Sequence, residues 1–178
     1  CISSVKIIDT MGSYIGGIAG NISGNRTIKN CSYTGEMSGV EFTCAGGIVG
    51  QIKGSGKVQN SYAVGTLAVP ADGSGTFAGG IVGFGGTAQN CYYLCKVNGK
   101  DKNVYVDAAG TEKAITKTGE DAKTKYMVGE SELVTLLNEW AKTNDAAEWE
   151  NSDEEPYAPV FKAASDVPTP WDGTVDTN

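Results

Sequence analysis

Gly83-Phe84-Gly85-Gly86-Thr87-Ala88 satisfies the loose G-x-G-x-x-A pattern with which a backbone can cradle the pyrophosphate of a dinucleotide. That chemistry needs a helix opening where the glycines end. Here the strand-like stretch Thr87-Ala88-Gln89-Asn90-Cys91-Tyr92-Tyr93-Leu94 follows instead. A phosphate site would also occur once, whereas the glycine run returns as Gly16-Gly17-Ile18-Ala19-Gly20, Gly46-Gly47-Ile48-Val49-Gly50 and Gly79-Gly80-Ile81-Val82-Gly83. Gly16, Gly17, Gly20, Gly46, Gly47, Gly50, Gly79, Gly80 and Gly83 therefore read as structural positions of a repeat, and no cofactor is expected.

Other chemistry-bearing residues fare no better. The chain has no histidine. That removes Ser-His-Asp and Cys-His catalysis, His-ligated zinc and a histidine pH switch. The five cysteines, Cys1, Cys31, Cys44, Cys91 and Cys95, include no C-x-x-C pair and fit neither a disulfide framework nor a zinc site well. Cys91 and Cys95 on one extended strand stand about 13 Å apart, too far to pair. The carboxylate run Asp153-Glu154-Glu155 reads as surface charge. A glycosidase needs two carboxylates across a cleft, and the calcium-loop glycine and distal Glu are missing. No metal or catalytic residue is expected. Tyr62, Tyr92, Tyr93 and Trp171 could stack on sugars, but packing is the simpler reading.

The elements that hold these residues follow from a thirty-residue period: Asn30, Asn60 and Asn90 recur at that spacing, each followed by Cys or Ser. Cys1 falls in the Cys31 slot, so the chain is expected to begin inside a repeat, as part of a longer polypeptide (a lipidated first residue is the alternative for Cys1). Lys6, Glu36, Thr66 and Lys96 form a polar column, and Ile7, Met37, Leu67 and Val97 an apolar one beside it. The column before the polar one holds Val5, Gly35, Gly65 and Cys95. Polar between two apolar or small columns is the alternation of a strand with one buried face. A second strand is expected at Ile28, Val58 and Ala88, and the glycine run supplies a third segment. Glycine run to Asn is fourteen residues in the first two repeats and eleven in the third, with an insertion at 68–76 and a deletion after Gly83. Indels confined to turn-like sequence are what a stack of repeats tolerates.

Such short units cannot bury an apolar face alone, so neighbours must stack, with parallel strands about 4.8 Å apart. The expected fold is mainly β, a Gly-rich parallel β-solenoid or β-helix-like repeat region with a small α+β C-terminal cap. A β-sandwich or propeller-like stack is the second choice. Residues 1–97 are the repeat region and 98–130 an irregular connection with strand-like patches at 104–106 and 114–116. Residues 131–161 form a helix-plus-strand cap, and 162–178 an extended tail. Asn30, Asn60 and Asn90 are expected to stack at a corner, their amides bonding to one another and to turn backbone. Cys31, Ser61 and Cys91 read as small inward side chains, with Cys1 close enough to Cys31 for a disulfide in principle. Ser131 is the expected N-cap of a helix over 131–144 with the stripe Leu133, Leu136, Leu137, Trp140, Ala141. That helix is the candidate to cover the last repeat. Trp149 and Tyr157–Phe161 are expected to add a closing strand.

Composition bounds partners. Residues 1–129 carry twelve Lys/Arg against nine Asp/Glu, and 130–178 carry two against twelve. Such an acidic end argues against nucleic acid, which needs a basic face. No run of eighteen apolar residues exists, so no membrane span is expected.

Gly17-Ile18-Ala19-Gly20, Gly47-Ile48-Val49-Gly50 and Gly80-Ile81-Val82-Gly83, each followed by an Asn-Cys/Ser segment rich in tyrosine, resemble the GLUG motif. This is a short repeat of bacterial secreted and cell-surface proteins that also accompanies IgA-specific metalloendopeptidases. The stretch from Leu133 to Phe161 is similar to the segment that often follows such repeats, with Ala158 inserted between Tyr157 and Pro159. No protease residues carry over, because a zinc motif with histidines cannot exist here. The resemblance implies a location outside the cell or at its surface, and flanking domains as partners. The expected function is a non-catalytic structural or adhesive module that spaces or binds toward a host glycoprotein, polysaccharide or matrix component. An accessory or catalytic β-helix of a polysaccharide- or glycoprotein-degrading enzyme is the alternative.

Overall fold

A computed structural model describes residues 1–9, 12–39, 42–68, 77–97, 112–119, 125–154 and 156–162. The protein is mainly β, with one helix among these residues. The first repeat supplies β1 (Ile2–Ser3), β2 (Ile7–Asp9), β3 (Gly12–Gly16), β4 (Ala19–Ser23) and β5 (Thr27–Lys29). The second supplies β6 (Ser32–Tyr33), β7 (Glu36–Gly39), β8 (Phe42–Gly46) and β9 (Val49–Lys53), and runs into β10 (Lys57–Ala68). The third adds β11 (Phe77–Gly79), β12 (Val82–Phe84) and β13 (Thr87–Val97). The glycine run is two strands on either side of a tight turn.

Pairing is parallel and follows the thirty-residue period. Ile2 faces Ser32, Thr27 faces Lys57, and Lys57 faces Thr87 in turn. Equivalent strands collect into an eight-stranded sheet led by β1-β6-β10-β13, a three-stranded sheet β3-β8-β11 and another, β4-β9-β12. The third repeat shows where the period slips. Phe77 pairs Cys44 and Phe84 pairs Gln51, an offset of thirty-three, yet Thr87 pairs Lys57 at thirty again. The extra residues are thus taken up before Phe77 and given back between Phe84 and Thr87. Within 68–76, only Ala68 belongs to the described residues.

All three parallel sheets face one core. Ile15, Tyr33, Met37, Ile48, Val49, Ile52, Val58, Leu67 and Ile81 are buried in it. The Ile7/Met37/Leu67 column points inward as the alternation requires, and Lys6 pairs Glu36 at 3.1 Å in the polar column outside it. Val5, expected with the inward columns, is instead 58% exposed. The backbone of Gly35 lies against its carbonyl, and no side-chain space remains beside it.

Beyond the repeats come β14 (Glu112–Ala114), β15 (Thr116–Thr118), β16 (Lys125–Val128), β17 (Ser131–Glu132), α1 (Leu133–Thr143), β18 (Trp149–Glu150) and β19 (Val160–Phe161). Where residues 98–130 are described they form strands; 104–106 lie outside the described residues. β14 extends the large sheet in parallel beside β13, β15-β16-β17 form an antiparallel sheet, and β18 pairs β19 antiparallel, so Trp149 faces Phe161. Helix α1 begins one residue later than its sequence signal. Glu132 is the N-cap without a side-chain cap bond, because Ser131 is held in β17, pairing with Val128. The helix meets the last repeat, where Asn90 Nδ2 donates to Leu136 O at 3.5 Å. Its buried Leu133, Leu137 and Ala141 lie in the layer that covers Tyr62, Val64 and Tyr92 on the outward face of β10 and β13. Those outward apolar side chains are the reason: without a covering layer, two tyrosines and a valine would face water.

Candidate functional site

The repeated positions converge on two corners. At the first, Asn30, Asn60 and Asn90 adopt left-handed backbone, with φ of 53°, 45° and 51°. Asparagine is among the few residues with a Cβ that tolerate this region. The turn stacks their amides: Asn60 Nδ2 donates to Asn30 Oδ1 at 2.8 Å, and Asn90 Nδ2 donates to Asn60 Oδ1 at 2.7 Å. Tyr92 Oη–H donates to Asn90 Oδ1 at 2.6 Å, closing that end. Immediately after the turn, Cys31, Ser61 and Cys91 point inward, and each bonds back to a carbonyl two residues earlier. Ser61 Oγ–H donates to Gln59 O at 2.8 Å; the thiols of Cys31 and Cys91 reach Lys29 O and Gln89 O at 3.4 and 3.3 Å. Cys31, Cys44 and Cys91 are buried free thiols, and Cys1 is a free thiol at the surface. Burial pushes the Cys44 thiol pKa up, which keeps it protonated and unreactive. The side chain of Cys95 lies outside the described residues.

The second corner is the glycine reversal. Here close approach, not left-handed backbone, demands glycine. A Cβ on Gly47 would sit 2.1 Å from Gly80 O and 2.5 Å from Ala63 Cβ. Gly16, Gly17, Gly20, Gly46, Gly50 and Gly83 are as tightly bound by backbone or ring atoms of neighbouring strands. Gly79 and Gly80 are buried in the same columns. After Gly83 the chain turns through Gly85 and Gly86, at φ of 74° and 64°, and enters β13. The run thus joins strand to strand, unlike the strand-to-helix turn of a dinucleotide cradle.

Outside these corners lie two amide rows and a ring cluster, in which Gln51 is buried and the other members are exposed or half-buried. Asn21 Nδ2 donates to Gln51 Oε1 at 2.8 Å, and Gln59 Nε2 donates to Gln89 Oε1 at 2.6 Å. Phe84 is next to Gln51 in the same row, and its ring lies 4.7 Å from that of half-buried Phe77. On the same flank Lys53 Nζ sits 5.8 Å from the centre of the Tyr14 ring. The Tyr14/Cys44/Phe77 column is readable from the sequence, two residues ahead of each glycine pair. The Asn21/Gln51/Phe84 row was legible by the same count once the three-residue slip is applied.

The aromatic residues considered as sugar platforms divide. Tyr62 and Tyr92 are buried under the C-terminal layer, where Tyr62 Oη–H donates to Pro159 O and its ring meets Trp149 edge-on at 5.6 Å. Tyr93 is half-buried against the repeat core, and Trp171 lies outside the described residues. Asp153 and Glu154 are exposed, while Glu155 lies outside the described residues. Among the described residues no three His, Cys, Asp or Glu side chains gather as metal ligands. Nor is any helix among them long and apolar enough to cross a membrane. No protein-family model, curated protein or solved structure matches the chain.

Proposed function

We propose that this chain is a GLUG-type, glycine-rich parallel β-solenoid, serving as a non-catalytic structural or adhesive module of a bacterial surface or secreted protein. One observation carries the reading: the residues that recur are used up in building. The asparagines hydrogen-bond to one another, and the glycines admit the neighbouring strand. The small residues after each Asn bond to the turn. Recurrence of this kind gives a stiff rod whose length is set by repeat number and whose flanks are free to vary. The flank bearing Tyr14, Phe77, Phe84, Asn21 and Lys53 offers ring faces, an amide and a cation to a polysaccharide or host glycoprotein.

A glycan array together with a host-protein array tests the adhesive half. Binding that falls in a Tyr14→Ala, Phe84→Ala double variant supports a binding flank. Binding at background across both arrays leaves a spacer. Turnover of any polysaccharide by the purified chain would overturn the non-enzymatic reading and favour a degrading β-helix.

A further inference from the structure

A third turn lies between the glycine reversal and each asparagine, carrying β4 into β5, β9 into β10 and β12 into β13. The segments around it, residues 19–33, 49–64 and 82–94, contain Arg26, Lys29, Lys53 and Lys57 and no Asp or Glu, in a chain of net charge −7. The turns of the first two repeats stack closely. Gly24 N–H donates to Lys53 O at 2.8 Å, and Lys57 N–H donates to Arg26 O at 2.9 Å. Cations of the second repeat thus stand beside those of the first. Thr27 pairs Lys57 and Lys29 pairs Gln59, while Ile28 and Val58 between them turn to the core. Lys29 and Lys57 therefore share the outward face, and that diagonal puts their Cα atoms about 8 Å apart.

Arg26, Lys29 and Lys53 are exposed and Lys57 is half-buried, and among the described residues none of the four has an ion-pair partner. Lys6, Lys125 and Lys162 each have one. Like charges spaced by about a Debye length repel one another, and a bound anion relieves that repulsion. The cations also run on into the ring flank, where Lys53 Nζ sits 5.8 Å from the centre of the Tyr14 ring. On their other side the Gln59–Gln89 amide row continues the Lys29 column.

We infer that this turn binds the carboxylate or sulfate groups of an acidic polysaccharide whose sugar rings lie on the neighbouring Tyr14 and Phe84 flank. The inference rests on the glycan-binding reading of that flank and adds the charge of the ligand. Ring faces and amides suffice for a neutral sugar, and four unpaired cations add nothing to its binding. An anionic sugar uses all three: the Arg26 guanidinium can grip its oxygens in pairs, and the lysines act as point charges. Residues 130–178, with two Lys/Arg against twelve Asp/Glu, weigh against a polyphosphate duplex as the anion.

The test measures binding of the full chain to two matched pairs of polymers, polygalacturonate with its methyl ester and dextran sulfate with dextran. The expected result is about tenfold tighter binding to the charged member of at least one pair, lost as NaCl rises from about 0.1 to 1 M and the Debye length falls from about 10 to 3 Å. The pair that shows it identifies the anionic group as carboxylate or sulfate. Lys29→Gln with Lys57→Gln should abolish most of that preference and leave the urea midpoint in place. Lys117→Gln with Lys142→Gln changes the net charge equally from exposed positions elsewhere, and an equal loss there overturns the proposal. Equal binding to both members of each pair overturns the anionic preference but keeps the ring flank. Binding to none of the four overturns the proposal, while the glycan array still judges the flank by itself. Duplex DNA bound as tightly as polygalacturonate, or salt-sensitive self-association seen by light scattering, would overturn the choice of a polysaccharide.

Discussion

Asn60 donates to Asn30 and accepts from Asn90 while fully buried and left-handed, so three separate costs meet in one residue. Asn60→Ala removes both amide bonds and places a Cβ without a local hydrogen bond at φ 45°. We expect a loss of about 3 kcal/mol, from two buried hydrogen bonds and the backbone. Asn60→Gly keeps the turn at no steric cost and should lose roughly 1 kcal/mol less. Urea unfolding of the pair checks this, and equal losses would mean that the left-handed turn contributes nothing. The glycines predict a sharper contrast. Gly47→Ala drives a methyl into Gly80 O and Ala63, and should cost about 3 kcal/mol or more. Gly24→Ala meets nothing within 4 Å and is strained only by φ 77°, so about 1 kcal/mol is expected.

Helix α1 shows what a local signal can and cannot carry. Its stripe was readable from spacing, because burial on one side imposes a 3.6-residue period on any helix. Its start was misread, because Ser131 satisfies a cap rule but is claimed by the strand that pairs it with Val128. Ser131→Ala should therefore shift stability by no more than about 0.5 kcal/mol, as at an ordinary surface position, where a true cap would lose about 1 kcal/mol. Leu137→Ala, with no exposed surface, should lose about 2–5 kcal/mol. Thermal melts of the two variants settle which residue anchors the helix. Glu132 instead holds its place through Lys125, whose hydrogen bond keeps the Glu132 carboxyl below the usual carboxylate range. That contribution is present above the ordinary acid pKa and fades as pH falls through the lowered folded value; its partly exposed setting keeps it small.

At the scale of the whole molecule, the C-terminal layer and the repeat stack meet over Tyr62 and Tyr92. Burial, followed by the nearby Cys91 and Glu139, pushes the Tyr92 phenol up to about 12. Burial pushes Tyr62 up further. The unfolded phenols lose their protons near pH 10, while the folded ones keep theirs, so the stability they confer is whole below pH 10 and lost as pH rises past it. The protein should unfold at alkaline pH in a transition led by this seam. Tyr62→Phe removes one titrating group, and the midpoint followed by tryptophan fluorescence should move to higher pH. A midpoint that stays put would place the alkaline weakness elsewhere.

The sequence by itself determined the period, the columns and the corner residues, because identical neighbours in a parallel stack must repeat side-chain size and hydrogen-bonding type at each level. Asn30, Asn60 and Asn90 were legible for that reason, as was the failure of the G-x-G-x-x-A pattern before a strand. Tertiary structure decided what period cannot encode. Columns do not say what covers an outward residue, so packing was the simpler reading for Tyr62 and Tyr92 while the C-terminal layer that does the packing was not readable. Nor do they give a ladder its polarity. The direction of the amides along Asn30, Asn60 and Asn90 exists only once the strands are side by side.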